Sequence, residues 1–194
     1  MKSIKLQFLP SLSKHWRRFL FLCLLLVYLF ILSATPANAS LKDDRYDGNI
    51  FVVYAGNGSL VPPKATLAKA LAEHKPALLV FYVDDSSDCK QYAIVVSKLQ
   101  AFYGGVAEII PVSVDTISPK QSYAPTEAGY YYSGSVPQVV VFDRSGQVVL
   151  NQNGQVPFET IDDTLRQVFD FLPRNFSVEL KRRSFNELNS ELTK

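Results

Sequence analysis

The sequence predicts an α/β domain built on a mixed sheet with helices on both faces, preceded by a hydrophobic N-terminal segment. Three observations carry that reading. Ala77-Leu-Leu-Val-Phe-Tyr-Val83 is a continuous apolar run of the kind a strand buried on both faces requires. Cys89 to Tyr103 places Tyr92, Val95, Val96, Leu99, Phe102 and Tyr103 mostly at steps of three and four, and Gly104-Gly105 stops that helix. Gln138-Val-Val-Val-Phe142 and Gln147 to Leu150 flank Asp143-Arg-Ser-Gly146, which reads as an antiparallel hairpin.

The remaining elements fall around these. Asn49-Ile-Phe-Val-Val-Tyr54 reads as a short first strand, broken by Gly56-Asn-Gly58. Pro62 and Pro63 precede Lys64 to His74, where Leu67, Ala70 and Leu71 recur at helical spacing. Val106 to Val114 forms a strand joined to the central one through the intervening helix, so a parallel crossover is the simplest connection. Thr160 to Leu172 carries Ile161, Leu165, Val168, Phe169 and Leu172 on one helical face before Pro173. The expected order is therefore βαβαβ, a long connection, then ββα.

Ahead of this domain, Phe19 to Leu32 is an unbroken apolar stretch of 14 residues, with five positive charges before it and Ser33-Ala-Thr-Pro-Ala-Asn-Ala39 after it. Charge, apolar run and small residues are the three parts of a secretory signal. Including Ala34, the run would extend about 24 Å as a helix, less than a bilayer core of about 30 Å. Cleavage after Ala39 and retention as a membrane anchor both remain open. Either way the basic end stays cytoplasmic and the body lies on the far side. The chain divides into a leader over 1–39, a linker over 40–46, a domain over 47–172 and a polar tail over 173–194.

The formal charge of +2 comes from the leader: without Lys2, Lys5, Lys14, Arg17 and Arg18, the body holds 15 basic against 18 acidic residues, a net −3. A mildly acidic body gives no electrostatic reason to expect nucleic-acid binding. The only cysteines are Cys23, inside the apolar run, and Cys89, so the body can form no internal disulfide. No zinc site can be assembled locally around His74, which has no histidine or cysteine at ligand spacing.

The body resembles the thioredoxin fold from about Asp47 to Leu172. The likeness rests on Leu78-Leu-Val-Phe-Tyr-Val leading to Cys89-Lys90, on Ser135-Val-Pro137, and on Phe142-Asp-Arg-Ser-Gly146-Gln-Val148. In that fold these correspond to the central strand entering W-C-x-x-C-K, the cis-proline, and the last hairpin. The motif itself departs from the family: Ser86 holds the position of the attacking cysteine and Cys89 that of the resolving one. Asp85 replaces the usual Trp, and Val80 replaces the buried acidic residue. Exchange starts with a thiolate and ends with a second thiol releasing the mixed disulfide, so the S-x-x-C pattern points away from dithiol turnover.

A narrower likeness is to the thioredoxin-like membrane proteins of cyanobacteria known as photosystem I accumulation factors. It rests on the leader, on Asp47-Gly-Asn-Ile-Phe-Val-Val-Tyr-Ala through Val61-Pro-Pro, and on Asp84-Asp-Ser-Ser-Asp-Cys-Lys90. This resemblance implies a thylakoid location, a lumen-facing body and a part in building or maintaining photosystem I; a periplasmic site is the alternative.

The expected function is a non-enzymatic, cofactor-free module whose binding residues are Ser86, Cys89, Val136, Pro137, Tyr130, Tyr131 and Tyr132. Its expected partner is a membrane-protein client or an assembly factor, which the resemblance implies to be photosystem I subunits. The competing function is a monothiol redox or disulfide-linked regulatory protein acting through Cys89. Asp84, Asp85 and Asp88 are expected to raise the Cys89 pKa. Ser86 to Asp88 are expected to cap the following helix rather than bind a hard cation. Lys90 is expected to favour solvent. The loop from Thr116 to Gly134 gives little support to a helix, and its tyrosines either form a contact surface or cover the sheet edge.

Overall fold

A computed structural model of the chain describes residues 14–33 and 40–177. The chain divides into two units, Met1–Asn38 and Ala39–Lys194. In the first, the apolar run forms helix α1, Lys14–Ser33. Its large side chains from Phe19 to Ile31 are exposed. Among the described residues, no helix is long and apolar enough to cross a membrane. The small-residue stretch up to Ala39 and the tail from 178 onward lie outside the described residues.

In the second unit, residues 49–54 do not enter the sheet. They form α2, Ile50–Val53, with Asn49 as its N-cap. This overturns the expected first strand. Two groups satisfy its free N–H donors: the Asn49 side chain accepts from Phe51 N–H at 3.1 Å, and the Asp84 carboxylate accepts from Ile50 N–H at 2.9 Å. Two adjacent residues, Ile50 and Phe51, are buried while Val52 and Val53 are exposed. That is not the alternation a strand would need, so capping and burial override β-branched composition.

Four strands make the sheet: β1 (Ala77–Tyr82), β2 (Glu108–Ser113), β3 (Gln138–Phe142) and β4 (Val148–Asn153), in the order β2-β1-β3-β4. β1 and β2 are parallel, joined through α4, Ser87–Tyr103. β1 with β3 and β3 with β4 are antiparallel. Every residue of β1 is buried, as its unbroken apolar run requires. The last helix, α5, spans Phe158–Val168. The mixed sheet is thus observed, one strand shorter than expected.

Alternation along β1 feeds two cores. Leu78, Val80 and Tyr82 face α2, α4 and α5 through Phe51, Tyr92, Val96, Leu99 and Ile161. Leu79 and Phe81 face Leu67 and Ala70 of α3, Leu67–Ala72, together with Tyr131 and Tyr132. Helices cover both faces, but the second is completed by a loop. The segment 40–46, read as a linker, is bonded to the body through contacts described below.

Tyr92 is 1% exposed, and among the described residues its hydroxyl has no hydrogen-bond partner. A buried hydroxyl without a partner forfeits its hydration for nothing. Tyr92→Phe is therefore expected to stabilise the domain by about 1 kcal/mol, read as a higher urea midpoint at unchanged slope.

Candidate functional site

The S-x-x-C segment lies where β1 ends and α4 begins. Ser86 is the N-cap of α4: its backbone is extended and its hydroxyl accepts from Cys89 N–H at 3.3 Å. Asp44, from the segment ahead of the domain, accepts from Ser87 N–H at 2.8 Å. These two bonds occupy N–H groups that would otherwise face an incoming anion or thiolate. The Ser86 side chain is thus engaged in holding the helix start.

Cys89 is 1% exposed and belongs to the same buried core as Val80. Burial pushes its thiol above the ordinary cysteine value. The Val83 backbone and Ser86 side chain oppose that rise, while Asp88 and Asp84 add to it. The direction matches expectation, but burial rather than like-charge repulsion is the larger cause. Asp84 and Asp88 also have protein partners, the Ile50 N–H and the Gln155 side-chain amide. Among the described residues no group of three His, Cys, Asp or Glu side chains could hold a metal ion.

Lys90 does not favour solvent. It is fully buried, and its ammonium donates to Asp43 O at 2.9 Å, Asp47 Oδ2 at 2.9 Å, Ser40 O at 3.2 Å and Asp43 Oδ1 at 3.3 Å. It also lies 5.4 Å from the centre of the Tyr54 ring. Burial alone would lower its pKa, yet the bonds to Asp47, Asp43 and Tyr54 outweigh burial and hold it above the ordinary lysine value. The Tyr54 hydroxyl first and Lys90 second hold Asp47 down to about 2. One buried cation thus straps 40–47 across the start of α4. Its sequence signal was the string Asp43-Asp44 and Asp47, which spacing alone did not connect to Lys90.

The Val136–Pro137 peptide is cis, as the resemblance implied, and so is Val61–Pro62. Phe81 is in register with Gln138, so Pro137, buried, enters β3 beside the end of β1 that leads to Ser86 and Cys89. Val136 is partly buried and packs against both cores. The fold therefore gathers Ser86, Cys89, Val136 and Pro137 at one end of the sheet.

The three tyrosines divide. Tyr131 meets Phe142 edge-on at 4.8 Å and donates its hydroxyl to Pro125 O at 2.9 Å. Tyr132 lies 5.4 Å from Phe81. Both close the second core, whereas Tyr130 is 54% exposed. Gln138, absent from the sequence-based site, holds this loop: its amide donates to Tyr131 O and Asn151 Oδ1 and accepts from Ser133 N–H and hydroxyl. A glutamine opening a buried strand was the available signal.

The thioredoxin-like domain family matches residues 63–169. Thylakoid membrane protein slr1796 of Synechocystis is 58% identical over 156 residues, covering 80% of this chain and 78% of that protein. A thiol:disulfide interchange protein TxlA homolog from the same organism is 26% identical over 99 residues, 51% of this chain and 52% of its own. The crystal structure of the germline-specific thioredoxin Deadhead from Drosophila melanogaster superposes with a TM-score of 0.40 at 19% identity, covering 51% of this chain and 85% of that one.

Proposed function

The chain belongs to the thioredoxin-like domain family, and from that premise we propose that it is a non-catalytic binding module that holds a membrane-protein client. The observation that carries this reading is the pairing of Ser86 and Cys89: the first caps α4 and the second is a buried thiol whose pKa is raised. Neither can open a disulfide-exchange cycle, which needs an accessible thiolate. Peptide recognition beside the proline at the start of β3 does not need a thiol. The binding end is formed by Ser86, Pro137 and the half-buried Val136, and the exposed ring of Tyr130, on the loop that leads into β3, adds a second contact.

Homology to a thylakoid membrane protein supports a thylakoid location for this chain. The leader's charge asymmetry supports a body on the non-cytoplasmic side, with residues 1–39 acting as export signal or anchor. The client class is a photosystem I subunit or one of its assembly factors, the role the sequence resemblance implies.

In an insulin reduction assay the protein is expected to give less than about 1% of the rate of a C-x-x-C thioredoxin run alongside it. Ser86→Cys, which restores the missing thiol, is the control that reports whether the scaffold can turn over. Turnover by the unmodified protein near the thioredoxin rate would overturn the non-catalytic reading and favour chemistry at Cys89.

A further inference from the structure

Along the β2 edge of the sheet, the second unit holds a cavity of about 630 Å3. Val61, Pro62 and Leu67 line one part of it, and Ile110, Val112 and Ala128 another. Its size lies within the range of small-molecule sites, and such a lining suits an apolar body. No lysine, arginine or histidine lines it. Its one carboxylate, Glu127, is already engaged by the Lys120 ammonium and the Ala124 N–H. A charged ligand of either sign would thus lose its hydration without gaining a free counter-charge.

The polar groups on the wall are mostly spent within the protein. Thr66 caps α3 by accepting from Lys69 N–H, Thr116 donates to Ser113 O, and the Asn49 side chain bonds Phe51 N–H and Tyr82. Of the wall hydroxyls that keep a free donor, those of Thr66 and Thr126 are exposed and that of Ser113 is half-buried, whereas Tyr82, whose ring packs on Phe51, is buried. It is 5% exposed, and its hydroxyl oxygen accepts from Asn49 Nδ2 at 3.2 Å. Among the described residues no acceptor takes its proton. One buried O–H donor on an apolar wall selects for a single acceptor on the ligand.

An added peptide strand fits less well. Glu108 N–H donates to Pro76 O, so Ile110 and Val112 also turn their backbone groups toward β1, and Ile109, Pro111 and Ser113 turn theirs outward. Pro111 has no N–H and breaks the outward row at its centre.

We infer that this cavity binds a neutral, largely apolar small molecule whose carbonyl accepts from the Tyr82 hydroxyl. The site shares no residue with the proposed client-binding end and stands independently of it. The test is a titration of the full chain in lipid nanodiscs with 2-acetylnaphthalene, corrected for partition into empty nanodiscs and followed by the methyl resonances of Ile110 and Val112. Saturable shifts with a Kd around 0.1 mM are expected. Tyr82→Phe should weaken binding about tenfold, and 2-naphthoate, its anionic counterpart, should bind at least about tenfold more weakly. Ala68→Trp, at an exposed wall position on α3, should abolish the shifts and decides the matter if Tyr82→Phe fails to fold. Absence of saturable shifts, equal affinity for the naphthoate, or an unchanged Kd in folded Tyr82→Phe would overturn the proposal.

Discussion

Replacing Lys90 with methionine is expected to lower the melting temperature by on the order of 10 °C, far more than a surface substitution would. Methionine fills a similar volume but leaves the carboxylate of Asp47 and the carbonyls of Ser40 and Asp43 without their shared donor. The pH dependence follows from the signs of the shifts. Asp47 is held at about 2, below its ordinary 3.8, so its contribution is complete above pH 3.8 and is lost as pH falls through about 2. Lys90 is shifted upward, so its contribution is complete below the ordinary 10.5 and is lost as pH rises through its higher folded value. Thermal melts from pH 2 to 7 should show a steeper acid loss in the unmodified protein than in Lys90→Met. Amide exchange at Ser87, whose N–H is held by the Asp44 carboxylate, should quicken in the variant as the strap loosens. A variant with an unchanged melting temperature would remove the strap from the account.

The second large effect is expected from Tyr131→Ala combined with Tyr132→Ala. These rings close the core over Phe142 and Phe81, and both are half-buried, so their joint loss is expected to cost about 2–4 kcal/mol, below the full cost of two buried aromatics. Urea unfolding measures it. Tyr130→Ala, which removes an exposed ring, is expected to change stability by less than about 0.5 kcal/mol. Equal losses in the two variants would mean that Tyr130 also supports the core.

What could be read from the sequence depended on whether local pattern or distant partners decided the structure. β1, β3 and α4 were legible because burial on two faces and a repeat near 3.6 leave a periodic trace. The cis peptide before Pro137 came from resemblance, not from pattern. Residues 49–54 were misread because the acceptor that helps start their helix, Asp84, lies 34 positions away. Lys90 was misread for the same reason: its partners are 43 to 50 positions earlier, in a stretch whose composition resembles a linker. The position of Ser86 and Cys89 at the start of α4 was legible, whereas the division of the tyrosines into two that pack and one that is exposed depended on Gln138 drawing the loop onto the sheet.

These placements reshape the test of the binding module. Tyr131 and Tyr132 would report stability as much as contact, so Tyr130 and Val136 are the better probes of the surface. Cys89→Ala is preferable to Cys89→Ser, because serine would place a hydroxyl in an apolar core.

The most direct measurement is affinity capture of membrane-extracted protein, comparing unmodified chain, Cys89→Ala and Tyr130→Ala with Val136→Ala after each is shown to fold. Client recovery is scored by mass spectrometry. The account predicts that Cys89→Ala recovers the same photosystem or assembly-factor partners, without thiol-linked adducts, while the surface variant recovers them about tenfold less. Loss of the client in folded Cys89→Ala with full recovery by the surface variant would contradict the account and place the function on the thiol.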